Sequence, residues 1–114
     1  MLPKEKKLVW DIVHYCNVIR EVTGGLTEDE YLEREELRLS VERALEIIGE
    51  ALRQLHAIGS VIPVRLPEYR GFIGLRNVIA HGYSHLDHRL VWQFTQDAVP
   101  RLGAAANEIH EELT

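Results

Sequence analysis

One cysteine and one methionine occur among the 114 residues, and there are four prolines. A lone thiol closes no intrachain disulfide, so no covalent staple is expected to hold the fold. Cys16 stands among apolar positions at helical spacing, where a buried inert thiol is expected rather than a nucleophile. No apolar run approaches the roughly 20 residues of a membrane span, and no long apolar segment follows Met1-Leu2-Pro3-Lys4, as a signal peptide would require. The expectation is a cytoplasmic protein with no membrane contact. Positive charge is short as well: 13 Lys and Arg stand against 18 Asp and Glu, a formal net charge of -5. The whole surface therefore exerts no pull on nucleic acid, and any RNA contact has to be local. Strand-like alternation, internal repeats and low-complexity runs are missing too, which leaves an all-α architecture.

With 46% hydrophobic and 27% charged residues the composition is that of an ordinary globular domain. Its length suits one domain over residues 1–114 with one core. Leu8, Ile12, Tyr15, Ile19 and Val22 recur at i, i+4, i+7, i+11 and i+14, so residues 4–22 form an amphipathic helix that Thr23-Gly24-Gly25 ends. Thr27 followed by Glu30 is a capping box for a short helix through Leu32. The clearest stripe is Leu37, Val41, Ala44, Leu45, Ile48, Ala51, Leu52 and Leu55, which predicts a long helix over residues 34–57. Gly49 in its middle costs about 1 kcal/mol relative to alanine, and such a glycine marks the close approach of another backbone. Gly59 to Pro67 then breaks the helix, and Val61, Ile62, Val64 and Leu66 are expected to pack as a linker.

A further helix is predicted over residues 68–81, with Phe72, Leu75 and Ile79 inward and Gly82 closing it at φ > 0. Asp87 is a candidate N-cap for a helix that buries Leu90, Val91 and Phe94. Pro100 lacks an amide hydrogen and clashes with the preceding turn, so a kink or restart is expected near Gln96 and Asp97. Ala98, Leu102, Ala105, Ile109 and Leu113 carry the stripe onward. These elements assemble as an antiparallel four-helix-bundle-like domain with one extra short helix.

Chemistry concentrates at the end of the third long stripe. His81 falls at a helix C-terminus, and Asn77, one turn earlier, can fix which ring nitrogen of the imidazole is free. Arg76 projects about 140° away from His81 on an ideal helix, so the two share a phosphate only if the helix end unwinds, Arg76 reaches round, or a second copy faces the first. A lone histidine near a helix end ordinarily meets terminal carbonyls or solvent, and a single arginine is ordinarily a surface charge.

The pattern Arg76-x4-His81-x-Tyr83, written out as R-N-V-I-A-H-G-Y, resembles the signature of the HEPN superfamily and most closely that of HepT toxins in HEPN/MNT toxin–antitoxin pairs. The run from Glu42 to Leu52 resembles that family's second long helix, and Leu90-Val91-Trp92 with Asp97-Ala98-Val99-Pro100 resembles its C-terminal part. The resemblance implies a metal-independent endoribonuclease in which the 2′-hydroxyl attacks the adjacent phosphate, with Arg76 and His81 catalytic and Asn77 in support. His81 and Arg76 are the types such a reaction needs: one group that titrates near neutrality and one cation for the phosphorane oxygens. The resemblance also implies that an MNT nucleotidyltransferase antitoxin attaches AMP to Tyr83, placing bulk and negative charge where an RNA phosphate would dock.

No metal or other cofactor is expected. His81, His85 and His88 with Asp87 span a helix end, lack an i,i+4 pair on one continuous helix, and have no cysteine in support. Glu46 and Glu50 read as a solvated face, with a contact from Glu50 past Gly49 to the following helix left open. A homodimer that faces two motif helices is expected, because it doubles the histidines and brings Arg76 of one chain near His81 of the other. Two other readings stand beside the ribonuclease: a catalytically silent module that binds nucleotides or RNA, and an interaction partner of a nucleotidyltransferase.

Overall fold

The computed structural model describes residues 3–82 and 86–114, and among them every regular element is helical. The i, i+4 stripe of the first segment becomes helix α1, Pro3–Thr23, which buries Leu8, Val9, Ile12, Cys16 and Ile19. Burial pushes the Cys16 thiol up to about 12, which leaves it protonated and inert. The capping box forms as read: Thr27 Oγ1 accepts from the Glu30 amide at 3.2 Å, and Glu30 Oε1 accepts from the Thr27 amide at 3.0 Å. It starts the short helix α2, Glu28–Glu33, whose buried Tyr31 lies 5.3 Å from the Trp92 ring.

Helix α3, Glu35–Ala57, is the centre of the molecule because its stripe is wide enough to pack on two sides, against α1 and against the helix that follows. That helix, α4, spans Tyr69–His81 and turns Phe72, Leu75 and Ile79 inward. It runs antiparallel to α3: His56 meets Tyr69 near one end, and Gly49 meets Arg76 further along. The chain enters α4 through Glu68 in the left-handed region, at φ 59°, and Arg101 holds the Glu68 carboxylate at 3.2 Å. Beyond the motif lie α5, His88–Gln93, a π-helical turn, Phe94–Ala98, and α6, Val99–Leu113. The π turn is the expected response to Pro100, a local widening that accommodates a residue unable to donate. Cys16 sits against Gly103 and Arg20 lies near Pro100, so α6 runs antiparallel to α1. Phe94 from the π turn packs edge-on against Phe72 of α4 at 5.2 Å. Four long antiparallel segments with α2 as the extra short helix make up the expected all-α bundle. Among the described residues no helix is long and apolar enough to cross a membrane.

Three local expectations need correction. Val61 and Val64 are 73% and 78% exposed, while Ile62 and Leu66 are buried. The segment folds into a 3-10 turn, Pro63–Arg65, which carries Val64 outward, while Val61 lies in the bend before it. Leu90 is also exposed, because Asp87 caps the helix through the Arg89 and Leu90 amides and thereby sets Val91 and Trp92 inward. Gly82 has φ -138°, not a positive value. It is the half-helical cap residue, whose amide still reaches the Val78 carbonyl at 2.7 Å.

Candidate functional site

Arg76 owes its position to an absence on the neighbouring helix. A Cβ at Gly49 would stand 2.3 Å from Arg76 Cβ, 2.8 Å from its Cγ and 3.0 Å from the Phe72 carbonyl oxygen. No side chain fits there, so α4 lies directly on the α3 backbone and the Arg76 stem is seated on Gly49. The close approach expected from the sequence is thus made by the motif helix itself.

Above that seat the guanidinium is bracketed. Its Nη2 lies 3.5 Å from Glu50 Oε1, and its Nη1 donates to Asn77 Oδ1 at 3.1 Å. Asn77 therefore supports Arg76, and the hydrogen bond to His81 expected from their i,i+4 spacing is not among the described contacts. Glu50 is itself held firmly: Arg53 donates to both its oxygens at 2.8 and 2.7 Å, and Gln54 donates at 3.1 Å. The Arg53 hydrogen bonds, with help from Gln54 and the Arg76 charge, hold the Glu50 carboxyl down at about 2. It is a carboxylate throughout the neutral range.

Arg76, Glu50 and Gln54 edge a depression of about 220 Å³ between α1, α3 and α4, lined also by Asp11, Arg43 and Glu46. Its charged lining is Asp11, Glu46 and Glu50 against Arg43 and Arg76, so one protomer gives it no positive excess. His81 lies outside it, exposed as the last residue of α4. The helix places Arg76 toward α3 and His81 at its open end, about 7.5 Å further along the axis at 1.5 Å per residue. Tyr83 and His85 lie outside the described residues.

A second polar cluster lies where α3 meets α5. His88 Nδ1 is 3.8 Å from Glu42 Oε2, and burial raises the Glu42 carboxyl above its ordinary value. His88 Nδ1 and the Tyr31 hydroxyl are both buried with no hydrogen-bond partner among the described residues. Sequence reading missed this cluster, and it missed the grip of Arg53 and Gln54 on Glu50. The latter had a signal: Arg53 and Gln54 follow Glu50 by three and four residues, the spacings at which helix side chains meet.

Comparison with known proteins agrees with the motif. A family model described as "Ribonuclease HepT-like" matches residues 12–109. A Methanocaldococcus jannaschii protein named "Putative RNase" is 32% identical over 99 residues, covering 85% of this chain and 88% of its own. A Thermococcus cleftensis protein named "Probable ribonuclease HepT" is 28% identical over 102 residues, covering 90% of this chain and 92% of its own. A second protein of M. jannaschii, also named "Putative RNase", is 25% identical over 98% of this chain and 93% of its own. No solved structure matches the chain.

Proposed function

The chain belongs to the HepT-like ribonuclease family, and from that premise we propose that it is a metal-independent endoribonuclease and the toxin of a toxin–antitoxin pair. The observation that carries the reading is the motif helix: Arg76 is seated and bracketed on α3, and His81 stands exposed at the end of the same helix. In the reaction the 2′-oxygen attacks the adjacent phosphorus and the bond from phosphorus to the 5′-oxygen breaks. The 2′-hydroxyl proton passes to a base, and the 5′-oxygen leaves with a proton from an acid, giving a 2′,3′-cyclic phosphate and a 5′-hydroxyl. His81 serves proton transfer, and Arg76 stabilises the charge on the phosphorane oxygens. Purified protein incubated with mixed RNA in EDTA is expected to cleave it, and RNA that stays intact at high protein concentration would overturn the assignment.

The site needs a second copy. One protomer has one motif histidine, although the reaction uses both a base and an acid, and its depression has no positive excess. A two-fold dimer facing two α4 helices supplies the second histidine and a second Arg76, in a cleft whose local potential then favours phosphate. Sedimentation of the active protein is expected to give a dimer, and a fully active monomer would contradict it. In this reading it acts in the cytoplasm, where its RNA substrate is, and an MNT-type nucleotidyltransferase controls it. That enzyme would join the Tyr83 phenol oxygen to the α-phosphorus of ATP, releasing pyrophosphate and the phenolic proton, and the added charge would repel RNA from the cleft. Intact-mass analysis after incubation with ATP and that enzyme is expected to show an AMP adduct on the wild type. The same adduct on Tyr83→Phe would place the modification elsewhere.

A further inference from the structure

Arg76 has a second-helix partner that no motif spacing reveals. Glu50 reaches its guanidinium only because the preceding residue, Gly49, has no side chain to hold α4 away. The carboxylate is fixed independently of Arg76, since Arg53 and Gln54 together take both its oxygens. What remains for Arg76 is one contact at 3.5 Å, enough to orient a charge and too loose to consume its hydrogen-bonding fork. With Asn77 on the other terminal nitrogen, the guanidinium is aimed from two sides while donors stay available. An arginine left alone would sample many rotamers and lose that freedom during the reaction, whereas one ordered in advance does not.

We propose that Glu50 is a positioning residue for the ribonuclease reaction: clamped by Arg53 and Gln54, it fixes the Arg76 guanidinium for the scissile phosphate and touches neither RNA nor the proton in transit. The inference rests on the reading of Arg76 as the phosphate-stabilising group. A proton-carrying role is excluded separately, because a carboxyl held at about 2 is too weak a base and too rarely an acid at neutral pH.

The test is a double-mutant cycle read by single-turnover RNA cleavage in EDTA, with thermal melts of every variant. Glu50→Gln keeps the shape and loses the charge, and is expected to slow cleavage about tenfold in an otherwise wild-type chain. In an Arg76→Ala background the same substitution is expected to change the residual rate by less than about twofold, because no guanidinium is left to orient. Arg53→Ala, which loosens the carboxylate without removing it, is expected to give a smaller loss that also vanishes without Arg76. Equal losses in both backgrounds, the mark of a merely structural role, would overturn the proposal, as would full activity in Glu50→Gln. Wild-type protein that leaves RNA intact would instead overturn the reading of the site, and this inference with it.

Discussion

Replacing His81 with alanine is expected to abolish detectable RNA cleavage, and replacing Arg76 with alanine to slow it about a hundredfold to a thousandfold. The two losses differ because the groups act differently. Proton transfer by a positioned side chain contributes about 10² to 10⁴ in rate, and in a two-fold site both copies of His81 are lost at once. Removing one donor to a developing anion costs about 10² to 10³, so Arg76→Ala retains a measurable residue of activity. Neither substitution is expected to unfold the protein: His81 is exposed at a helix end, and Arg76 lies at the edge of the bundle with its side chain one-quarter exposed. Initial rates on a fluorescent RNA, with circular dichroism to confirm helicity, check both. Full activity in His81→Ala would sink the assignment of roles.

A methyl group on Gly49 is expected to do more harm than its size suggests. Alanine is the better helix former by about 1 kcal/mol, and at an open helix position the substitution would stabilise the protein. Here the new Cβ would sit 2.3 Å from Arg76 Cβ and 3.0 Å from the Phe72 carbonyl oxygen. A backbone atom cannot rotate away, so α3 and α4 must separate, and overpacking of this kind costs about 1–3 kcal/mol or more. The clash is severe enough to place the cost at the upper end, which leaves a net loss of about 2 kcal/mol. For a domain of this size that lowers the melting temperature by roughly 8 °C. Activity is expected to fall further than the remaining folded fraction explains, since the Arg76 stem loses its seat. A Gly49→Ala protein that melts at or above the wild-type temperature would show that the helices do not meet there as described.

Gly49 also shows what the sequence conveys and what it withholds. A glycine in the middle of the strongest apolar stripe signals a close approach, and that signal is correct because the cost of glycine in a helix has no other local compensation. The helix spans are legible for a related reason: apolar spacing, the Thr27 and Asp87 caps and Pro100 are local, and each acts within one turn. Partners of flexible polar side chains are less legible. Asn77 and His81 have the spacing to meet, yet Asn77 accepts from Arg76, its immediate neighbour, whose long side chain can reach it. The role of Glu50 depends on how closely two helices pack, a tertiary quantity that no spacing within α3 encodes. Val61 and Leu90 are apolar residues left at the surface, which is common in folded proteins and which a count of apolar positions misassigns to the core.

The most direct test of the account is a defined RNA carrying a single 2′-deoxynucleotide at a mapped cleavage position, incubated with the protein in EDTA. The account predicts that cleavage stops at that position alone, continues at unmodified positions, and leaves 2′,3′-cyclic phosphate ends that disappear with His81→Ala. Cleavage that proceeds at the deoxy position, or products ending in a 3′-hydroxyl, would contradict attack by the 2′-hydroxyl at a site built from Arg76 and His81.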